Sequence, residues 1–199
     1  MKFFKLVSSL FVAILGGLFV SCEETIESGE YSNWQERNEA YIDSIAKVAE
    51  ANQDGKWMRI LSFKLDSVDA KGNPIKHGIE NCVYCYLKCD SAGTASPKYT
   101  DLVSVNYRGR LIPTENQRDG LIFDGSYKGE FNPAYSVPRN FFVDELIVGW
   151  STVLMQMTKG DNWVVYIPSQ LGYGAQSNSN IPENSTLIFD LNLVDFGIK

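Results

Sequence analysis

The residues best suited to metal binding or thiol chemistry lie in one short segment, where Cys82, Cys85 and Cys89 follow a C-x2-C-x3-C spacing. The segment is rich in β-forming residues, which predicts a strand. In a strand, Cys82 and Cys85 face opposite sides, whereas Cys85 and Cys89 share a side but lie roughly 13 Å apart. Neither pair suits a disulfide or a shared metal ion. We therefore expect free, buried or half-buried cysteines and no metal site.

Side chains for acid–base or nucleophilic catalysis are not concentrated elsewhere. His77 is the only histidine and sits in a loop-like stretch, so hydrolase arrangements lack their usual base. The acidic residues are scattered, and no glycine-rich segment forms a phosphate-binding loop. The formal net charge of −6 argues against a nucleic-acid partner. No cofactor is expected.

One further cysteine has a position that suggests a chemical role. Lys2 and Lys5 precede an apolar stretch too short to span a bilayer comfortably, and Cys22 follows directly after Ser21. This arrangement resembles a lipobox, so we interpret residues 1–21 as a lipoprotein signal peptide and Cys22 as the acylated residue. A lipid anchor predicts a place in the bacterial cell envelope, on the periplasmic side or at the outer-membrane surface. An ordinary secretory peptide with an incidental cysteine, or an uncleaved anchor helix, is the alternative.

Length and composition limit the elements that can position these residues. The 199 residues are 44% hydrophobic and 13% aromatic, which indicates one globular domain with an appendage. Apolar residues recur at helical spacing over residues 32–53, where Ser32 reads as the N-cap and Gln35 completes a capping box. The apolar stripe of this amphipathic helix consists of Trp34, Tyr41, Ile42, Ile45 and Val48.

This stripe must be buried, either against the flank of the chain's own domain or against a second copy of the helix. We expect packing on the chain's own domain, and hence a monomer. Residues 57–68 could form an extra strand, and residues 69–74 have the composition of a turn.

Six short patterns follow one another in the second half of the chain. They are the runs Val103–Leu111, Phe123–Ser126, Leu146–Trp150, Leu154–Gly160, Trp163–Ala175 and Ile181–Phe196. In order and spacing they resemble the FKBP family, whose members show V-x-V-x-Y-x-G-x-L, F-D-S-S, V-I-x-G-W, G-L-x-x-M-x-x-G, I-P-x-x-L-x-Y-G and I-P-P-N-x-T-L-x-F-x-V-x-L. The resemblance covers about residues 79–199.

The resemblance implies an α+β fold, in which an antiparallel β-sheet wraps around one short α-helix. The residue pattern agrees, because Gly149 and Trp150 open a helix that runs to about Met157, and the flanking runs alternate as half-buried strands do. We therefore divide the chain into a signal peptide (1–21), a tether with the amphipathic helix and a linker or extra strand (22–78), and an FKBP-like isomerase domain (79–199).

The resemblance also implies a binding cleft and assigns its residues. Trp150 would form the floor under a substrate proline, Asp124 would lie beside the twisting amide, and the Tyr173 hydroxyl and the Ile147 N–H would hold substrate carbonyls. The remaining implied cleft residues are apolar walls and rim, namely Tyr107, Phe123, Leu146, Ile181 and Phe189. Burial of these aromatic residues in an ordinary core is the alternative, and it is weakest for Trp150 and Tyr173, whose polar groups favour a cleft.

Between Ser126 and Leu146 the chain departs from the family pattern. The family's arginine and short phenylalanine-bearing strand have no clear match there. We expect Tyr135 and Val137 to replace that strand and residues 138–142 to be an insertion.

Taken together, the implied function is peptidyl-prolyl cis-trans isomerisation, acting on proline-containing polypeptide segments during the folding of envelope proteins. An apolar cleft suits this reaction, because rotation about the amide breaks no bond and needs no metal or nucleophile. A catalytically weak module that binds proline segments, or a chaperone, on the same fold is the alternative.

Overall fold

A computed structural model describes residues 29–91 and 93–197, so the predicted signal peptide and Cys22 lie outside the described residues. Within these ranges, seven strands form one antiparallel sheet in the order β1-β2-β6-β7-β3-β4, and β5 also pairs with β3. The elements are α1 (Trp34–Ala51), β1 (Trp57–Leu61), β2 (Cys82–Cys89), β3 (Leu102–Arg110), β4 (Ile122–Gly125), β5 (Arg139–Phe142), α2 (Val148–Leu154), β6 (Asn162–Ile167) and β7 (Leu187–Phe196). The predicted α+β fold, a sheet wrapped around a short helix, is confirmed.

One face of the sheet encloses α2 and forms the main core. Val103 and Val105 of β3 alternate toward this face and are fully buried, as are Val153 and Leu154 of α2. Burying such side chains stabilises the fold by roughly 1.5–3 kcal/mol each. Gly149 lets the helix approach the sheet, because a Cβ at this position would lie 2.4 Å from the side chain of Ile167.

The opposite face of the sheet is partly covered by α1. Ile42 and Ala49 of the helix pack with Cys82 and Tyr84 of β2, and all four are buried. The predicted amphipathic helix is therefore present, and it packs on the chain's own sheet. Its buried face differs from the predicted stripe at Val48, which is 49% exposed.

The start of α1 also differs from the prediction. Asn33, with φ of 49°, is the N-cap, and no side-chain hydrogen bond caps the helix. The Ser32 hydroxyl instead donates to the carbonyl of Gly29 and accepts from its N–H, so the predicted capping box does not form. The helix relies on packing rather than on a side-chain cap.

The segment after α1 adds an edge strand and a turn. β1 is shorter than the predicted 57–68 strand and pairs with β2 over its whole length. The predicted turn closes with a hydrogen bond of 2.8 Å from the N–H of Asp69 to the carbonyl of Asn73. No helix in the described ranges is long and apolar enough to cross a bilayer.

The strand prediction holds for Cys82 and Cys85 of β2, but the expected burial is wrong for Cys89, which lies at a bulge in the pairing of β2 with β6. Cys82 packs on the α1 side of the sheet and Cys85 on the α2 side, so they face opposite ways, whereas Cys89 is exposed. Full burial raises the pKa of the Cys85 thiol well above its ordinary value. All three thiols are free.

Candidate active site

A pocket of about 430 Å³ opens between the start of α2, strands β3, β4, β5 and β7, and the loops that follow β6. It is lined by Tyr107, Phe123, Asp124, Phe141, Glu145, Leu146, Ile147, Trp150, Tyr173, Asn178, Ser179, Asn180, Ile181 and Phe189. All nine pocket residues assigned from the sequence are in this set. Strands from distant parts of the chain bring them together.

Trp150 forms the floor of the pocket. Its ring makes edge contacts with Tyr107, Phe141 and Phe189, at centroid distances of 5.1, 6.0 and 5.1 Å and interplanar angles of 80–87°. Three edge-on neighbours fix the indole plane, and such pairs favour this geometry electrostatically. Trp150 is only 4% exposed yet lines the pocket, so its accessible surface faces the cavity.

Gly109 of β3 allows the apolar wall to form. A Cβ at this position would lie 2.6 Å from ring atoms of both Phe123 and Phe189. These two rings meet edge to face, with centroids 5.6 Å apart. The absence of a side chain at residue 109 thus brings the rings of β4 and β7 together beside Trp150.

A polar corner interrupts the apolar lining. The Tyr107 hydroxyl donates to Asp124 Oδ2 at 2.6 Å, and the Gly125 N–H donates to Oδ1 at 2.8 Å. Arg139 Nη1 donates to Tyr107 Oη at 2.9 Å and to Asp124 Oδ1 at 3.2 Å, while its Nη2 donates to the Gly125 carbonyl at 2.9 Å. The carboxylate is therefore held in one orientation at the pocket edge.

The phenol of this corner remains protonated at neutral pH. Burial raises the pKa of the Tyr107 hydroxyl, and the hydrogen bond and charge of Asp124 raise it further, while Arg139 only partly opposes them. Tyr107 therefore acts as a permanent donor to the carboxylate.

The start of α2 presents a backbone donor to the pocket. Ile147 is the N-cap, with extended backbone angles (φ −57°, ψ 149°) and no side-chain cap. Within the described residues, its N–H makes no hydrogen bond to protein. Ile147 and Leu146 both line the pocket, so this backbone donor lies at the pocket edge.

Residues 178–186, called the rim loop below, close one side of the pocket. Asn178 and Ile181 exchange backbone hydrogen bonds of 2.9 and 2.8 Å, which places Ile181 at the edge of the cavity. Tyr173 lies on the preceding loop, and the carbonyl of its neighbour Gly174 accepts a hydrogen bond of 2.7 Å from the Asn184 N–H.

The expectation for the segment between Ser126 and Leu146 was wrong. Tyr135 and Val137 are 84% and 73% exposed and belong to no strand. Residues 139–142 are not an insertion but β5, in which Phe141 pairs with Val103.

Two residues of the site, Arg139 and Phe141, were therefore missed. They sit two positions apart and share one face of β5, toward Tyr107 and Trp150. The spacing of an arginine and a phenylalanine at i and i+2, shortly before the Leu146–Trp150 run, was the available signal. Pro138, just before the strand, obscured it, because proline is typical of a strand boundary as well as of a loop.

The chemistry available in this pocket is binding and orientation. It combines an aromatic, largely apolar slot with one fixed carboxylate, a phenol and a free backbone donor. No histidine or cysteine is among the lining residues, and none of the described residues forms a cluster of three or more metal-ligating side chains. The arrangement therefore suits a reaction in which a bound group changes conformation or charge distribution.

Comparison with known proteins gives consistent matches. A family model described as FKBP-type peptidyl-prolyl cis-trans isomerase matches residues 93–194. The FKBP-type peptidyl-prolyl cis-trans isomerase FkpA of Escherichia coli (strain K12) is 37% identical over 127 residues, which are 63% of this chain and 42% of that protein. The Outer membrane protein MIP of Legionella longbeachae is 38% identical over 110 residues, 55% of this chain and 42% of that protein.

Comparison with solved structures gives a match of the same kind. The crystal structure of FkpA from Escherichia coli superposes with a TM-score of 0.54 and 28% identity, covering 83% of this chain and 62% of that chain. The chain thus spans less than half the length of the two curated relatives described above.

Proposed function

Because the chain belongs to the FKBP-type peptidyl-prolyl cis-trans isomerase family, we propose that it catalyses rotation about X–Pro peptide bonds. The observation that carries the proposal is the pocket itself. Trp150 is held by three edge-on aromatic rings at the base of a cavity of about 430 Å³, which is open to a prolyl side chain.

The apolar lining supplies the main catalytic effect. Rotation about X–Pro faces a barrier of roughly 18–20 kcal/mol, because twisting costs amide resonance. The planar amide is more polar than the twisted one, so transfer from water to the slot between Trp150, Phe123 and Phe189 disfavours the planar form. A slot shaped for the twisted amide then binds the transition state more tightly than the ground state.

Polar groups at the pocket edge orient the substrate. The Ile147 N–H and the Tyr173 hydroxyl donate to carbonyls on either side of the proline, and the Asp124 carboxylate faces the rotating amide. The Asp124 carboxylate is held by Tyr107, Gly125 and Arg139 before substrate binds, so little reorganisation of this charge is needed during rotation. Leu146 and Ile181 contact the flanking residues.

A protease-coupled cis-to-trans assay on soluble protein that begins after Cys22 tests the proposal. We expect acceleration proportional to enzyme concentration. Trp150→Ala should abolish it and lower stability by about 3–5 kcal/mol, since the ring is buried. Equal rates with and without the wild-type protein would exclude catalysis. Saturable binding of a proline peptide without acceleration would then identify a binding module.

The location and substrates are proposed as well. Cys22 is acylated after removal of residues 1–21, and the lipid-anchored protein acts on proline-containing segments of envelope proteins. The apolar leader and the cysteine directly after it support this, and so does similarity to a relative named as an outer membrane protein. Labelling of cells with radioactive palmitate should mark the wild-type protein and not Cys22→Ser. Equal labelling of both would refute the anchor.

We also propose that the mature protein is a monomer, because the apolar face of α1 is satisfied by its own sheet. A single species of monomer mass in analytical ultracentrifugation is expected. A dimer at micromolar concentration would overturn this.

A further inference from the structure

We propose that α1 is a positioning element for the active site, and that Trp34 and Asn38 hold the rim loop in its substrate-binding conformation. The inference rests on the proposed function, because it assigns a role in substrate binding to residues far from the chemistry. Neither residue lines the pocket. Both act through the loop that carries Ile181.

Asn38 joins the helix to the end of the rim loop by two hydrogen bonds, each between a side chain and the main chain. Its Oδ1 accepts from the Thr186 N–H at 2.7 Å, and its carbonyl accepts from the Thr186 hydroxyl at 3.3 Å. Its Nδ2 donates to the Trp34 carbonyl at 2.7 Å, which fixes the side-chain orientation. Asn38 and Thr186 are each 1% exposed, so these bonds face no competition from water.

Trp34 makes a second connection one residue earlier in the loop. Its Nε1 donates to Ser185 Oγ at 2.8 Å, and that hydroxyl donates to the Pro182 carbonyl at 2.6 Å. Pro182 directly follows Ile181, which lines the pocket. A short chain of hydrogen bonds thus runs from the indole of α1 to the residue next to the pocket rim.

The same loop is linked to the other side of the pocket. The Asn184 N–H donates to the carbonyl of Gly174, next to Tyr173, at 2.7 Å, and the Asn184 amide donates to Gln35 Oε1 of α1 at 3.2 Å. Displacement of Asn184 would therefore disturb the segment that carries Tyr173 as well as the one that carries Ile181.

The rim loop needs such support because its own backbone is not regular. Ser179 and Asn184 both have positive φ, 50° and 57°, a region that costs a residue such as serine about 1–2 kcal/mol and asparagine less. Outside contacts must hold such a conformation. Within the described residues, α1 provides the buried hydrogen bonds at Ser185 and Thr186.

Two variants of the full mature protein test the inference. Trp34→Phe keeps an aromatic ring but removes the indole donor together with part of the buried ring volume, and Asn38→Ala removes the amide. Ile45→Ala is the matched control. Ile45 lies on the same helix but packs against the cluster that joins α1 to β1 and β2, and its side chain makes no hydrogen bond to the rim loop.

The assay is coupled isomerisation of a proline-containing tetrapeptide, with kcat and KM separated, at a temperature where every variant is fully folded. We expect kcat/KM to fall roughly tenfold for Asn38→Ala, mainly through a higher KM, because the rim contacts substrate and small misplacements are costly. Trp34→Phe should show a smaller change in the same direction. Ile45→Ala should lower the unfolding midpoint and leave both constants unchanged.

Hydrogen exchange of amides 174–186 supplies the readout that does not depend on turnover. These amides should exchange faster in both test variants and not in the control. If Asn38→Ala lowers stability but leaves KM and exchange at wild-type values, or if Ile45→Ala raises KM equally, the inference is wrong. If the wild type binds the peptide without turnover, the proposed function fails. The peptide dissociation constants of the variants then decide the role of α1 in the same way.

Discussion

The carboxylate of Asp124 is oriented by residues from two other strands. Tyr107 of β3 and Arg139 of β5 both bind it, and they also bind each other. The three groups form a closed triangle, so removal of any one leaves the other two less constrained. Because Asp124 and Arg139 are about half exposed, the triangle contributes little to folding stability and mainly sets the direction of the charge.

Replacement of Asp124 should separate catalysis from stability. Asp124→Ala is expected to lower kcat/KM by roughly tenfold or more, because the charge that the proposed mechanism places beside the rotating amide is lost. The unfolding midpoint should stay nearly the same, since the side chain is half exposed. Coupled isomerisation and thermal unfolding measure the two effects. Asp124→Asn controls for shape, and a fully active Asp124→Ala would refute the electrostatic role.

Tyr173→Phe is the companion change on the other side of the pocket. It should slow turnover with little loss of stability, because it removes only a hydroxyl, which the proposed mechanism assigns to a substrate carbonyl. Coupled isomerisation measures the turnover, and thermal unfolding measures the stability. An unchanged kcat/KM would argue that the hydroxyl makes no contact with substrate.

Gly109→Ala should damage the pocket without touching a polar group. Its new methyl group would overlap the rings of Phe123 and Phe189, so at least one ring must move. We expect a stability loss of about 1–3 kcal/mol from overpacking and a clear fall in kcat/KM. Urea unfolding and the coupled assay measure these. Unchanged kinetics would mean that the wall tolerates displacement.

The sequence identified the pocket residues that lie within the family's short motifs. It failed for residues that follow a loop whose length differs from the family pattern. Trp150, Asp124 and Tyr173 each sit in a run whose neighbours are diagnostic of the family. Arg139 and Phe141 follow a loop of irregular length after β4, so no local pattern fixes their register. Their place depends on pairing with β3 more than thirty residues away, as for Phe141 with Val103, which only the folded chain reveals.

At the scale of elements, an ion cluster around the buried carboxylate of Asp190 links three strands of the sheet. Asp190 of β7 accepts from Lys88 of β2 at 2.6 Å and from Arg108 of β3 at 3.2 Å. Burial alone raises the pKa of Asp190, but the neighbouring cations outweigh it and hold the pKa below its ordinary value. The carboxylate therefore ties three strands together while it is ionised.

This cluster predicts a pH-dependent contribution to stability. Since the folded pKa of Asp190 lies below the unfolded value of about 3.9, its contribution is complete above that value and is lost as the pH falls through the folded pKa. Asp190→Asn should cost about 1–3 kcal/mol at pH 7. The difference from wild type should shrink below about pH 4. Urea unfolding at both pH values measures it, and a constant difference would contradict the prediction.

Helix α1 shows what periodicity can and cannot predict. The helical spacing of Trp34 and Ile42 predicted the existence of the helix and its buried side correctly, except at Val48. Asn38, a polar residue on that same side, could not be recognised as buried, because its partner Thr186 is 148 positions away in the chain. Its bonds to Thr186 and to Trp34 make burial of the amide possible.

At the scale of the whole molecule, α1 and β1 are part of the folded unit. β1 extends the sheet by pairing with β2, and α1 covers Cys82 and Tyr84 on the far face. The proposed boundary at residue 79 follows the family resemblance, whereas the packing extends to the start of α1. A stability measurement can distinguish a domain that begins at residue 79 from a folded unit that begins at α1.

A chain shortened to residues 79–199 should be less stable than one that begins at residue 29. Loss of α1 and β1 exposes Tyr84 and Cys82, which are 1% and 2% exposed in the intact fold. A reduction of at least about 3 kcal/mol in unfolding free energy is expected from the lost apolar burial. Urea denaturation of both chains measures this. Equal values would show that residues 79–199 are an independent unit.

The distribution of thiols across β2 gives the protein a built-in probe of its own unfolding. Cys89 lies open to a maleimide reagent in the native state, whereas Cys85 is sealed within the core, with a thiol that resists ionisation. Alkylation of Cys85 must wait until the sheet opens. The mass of the alkylated protein, followed over time, would therefore report the rate at which the sheet opens without an optical tag.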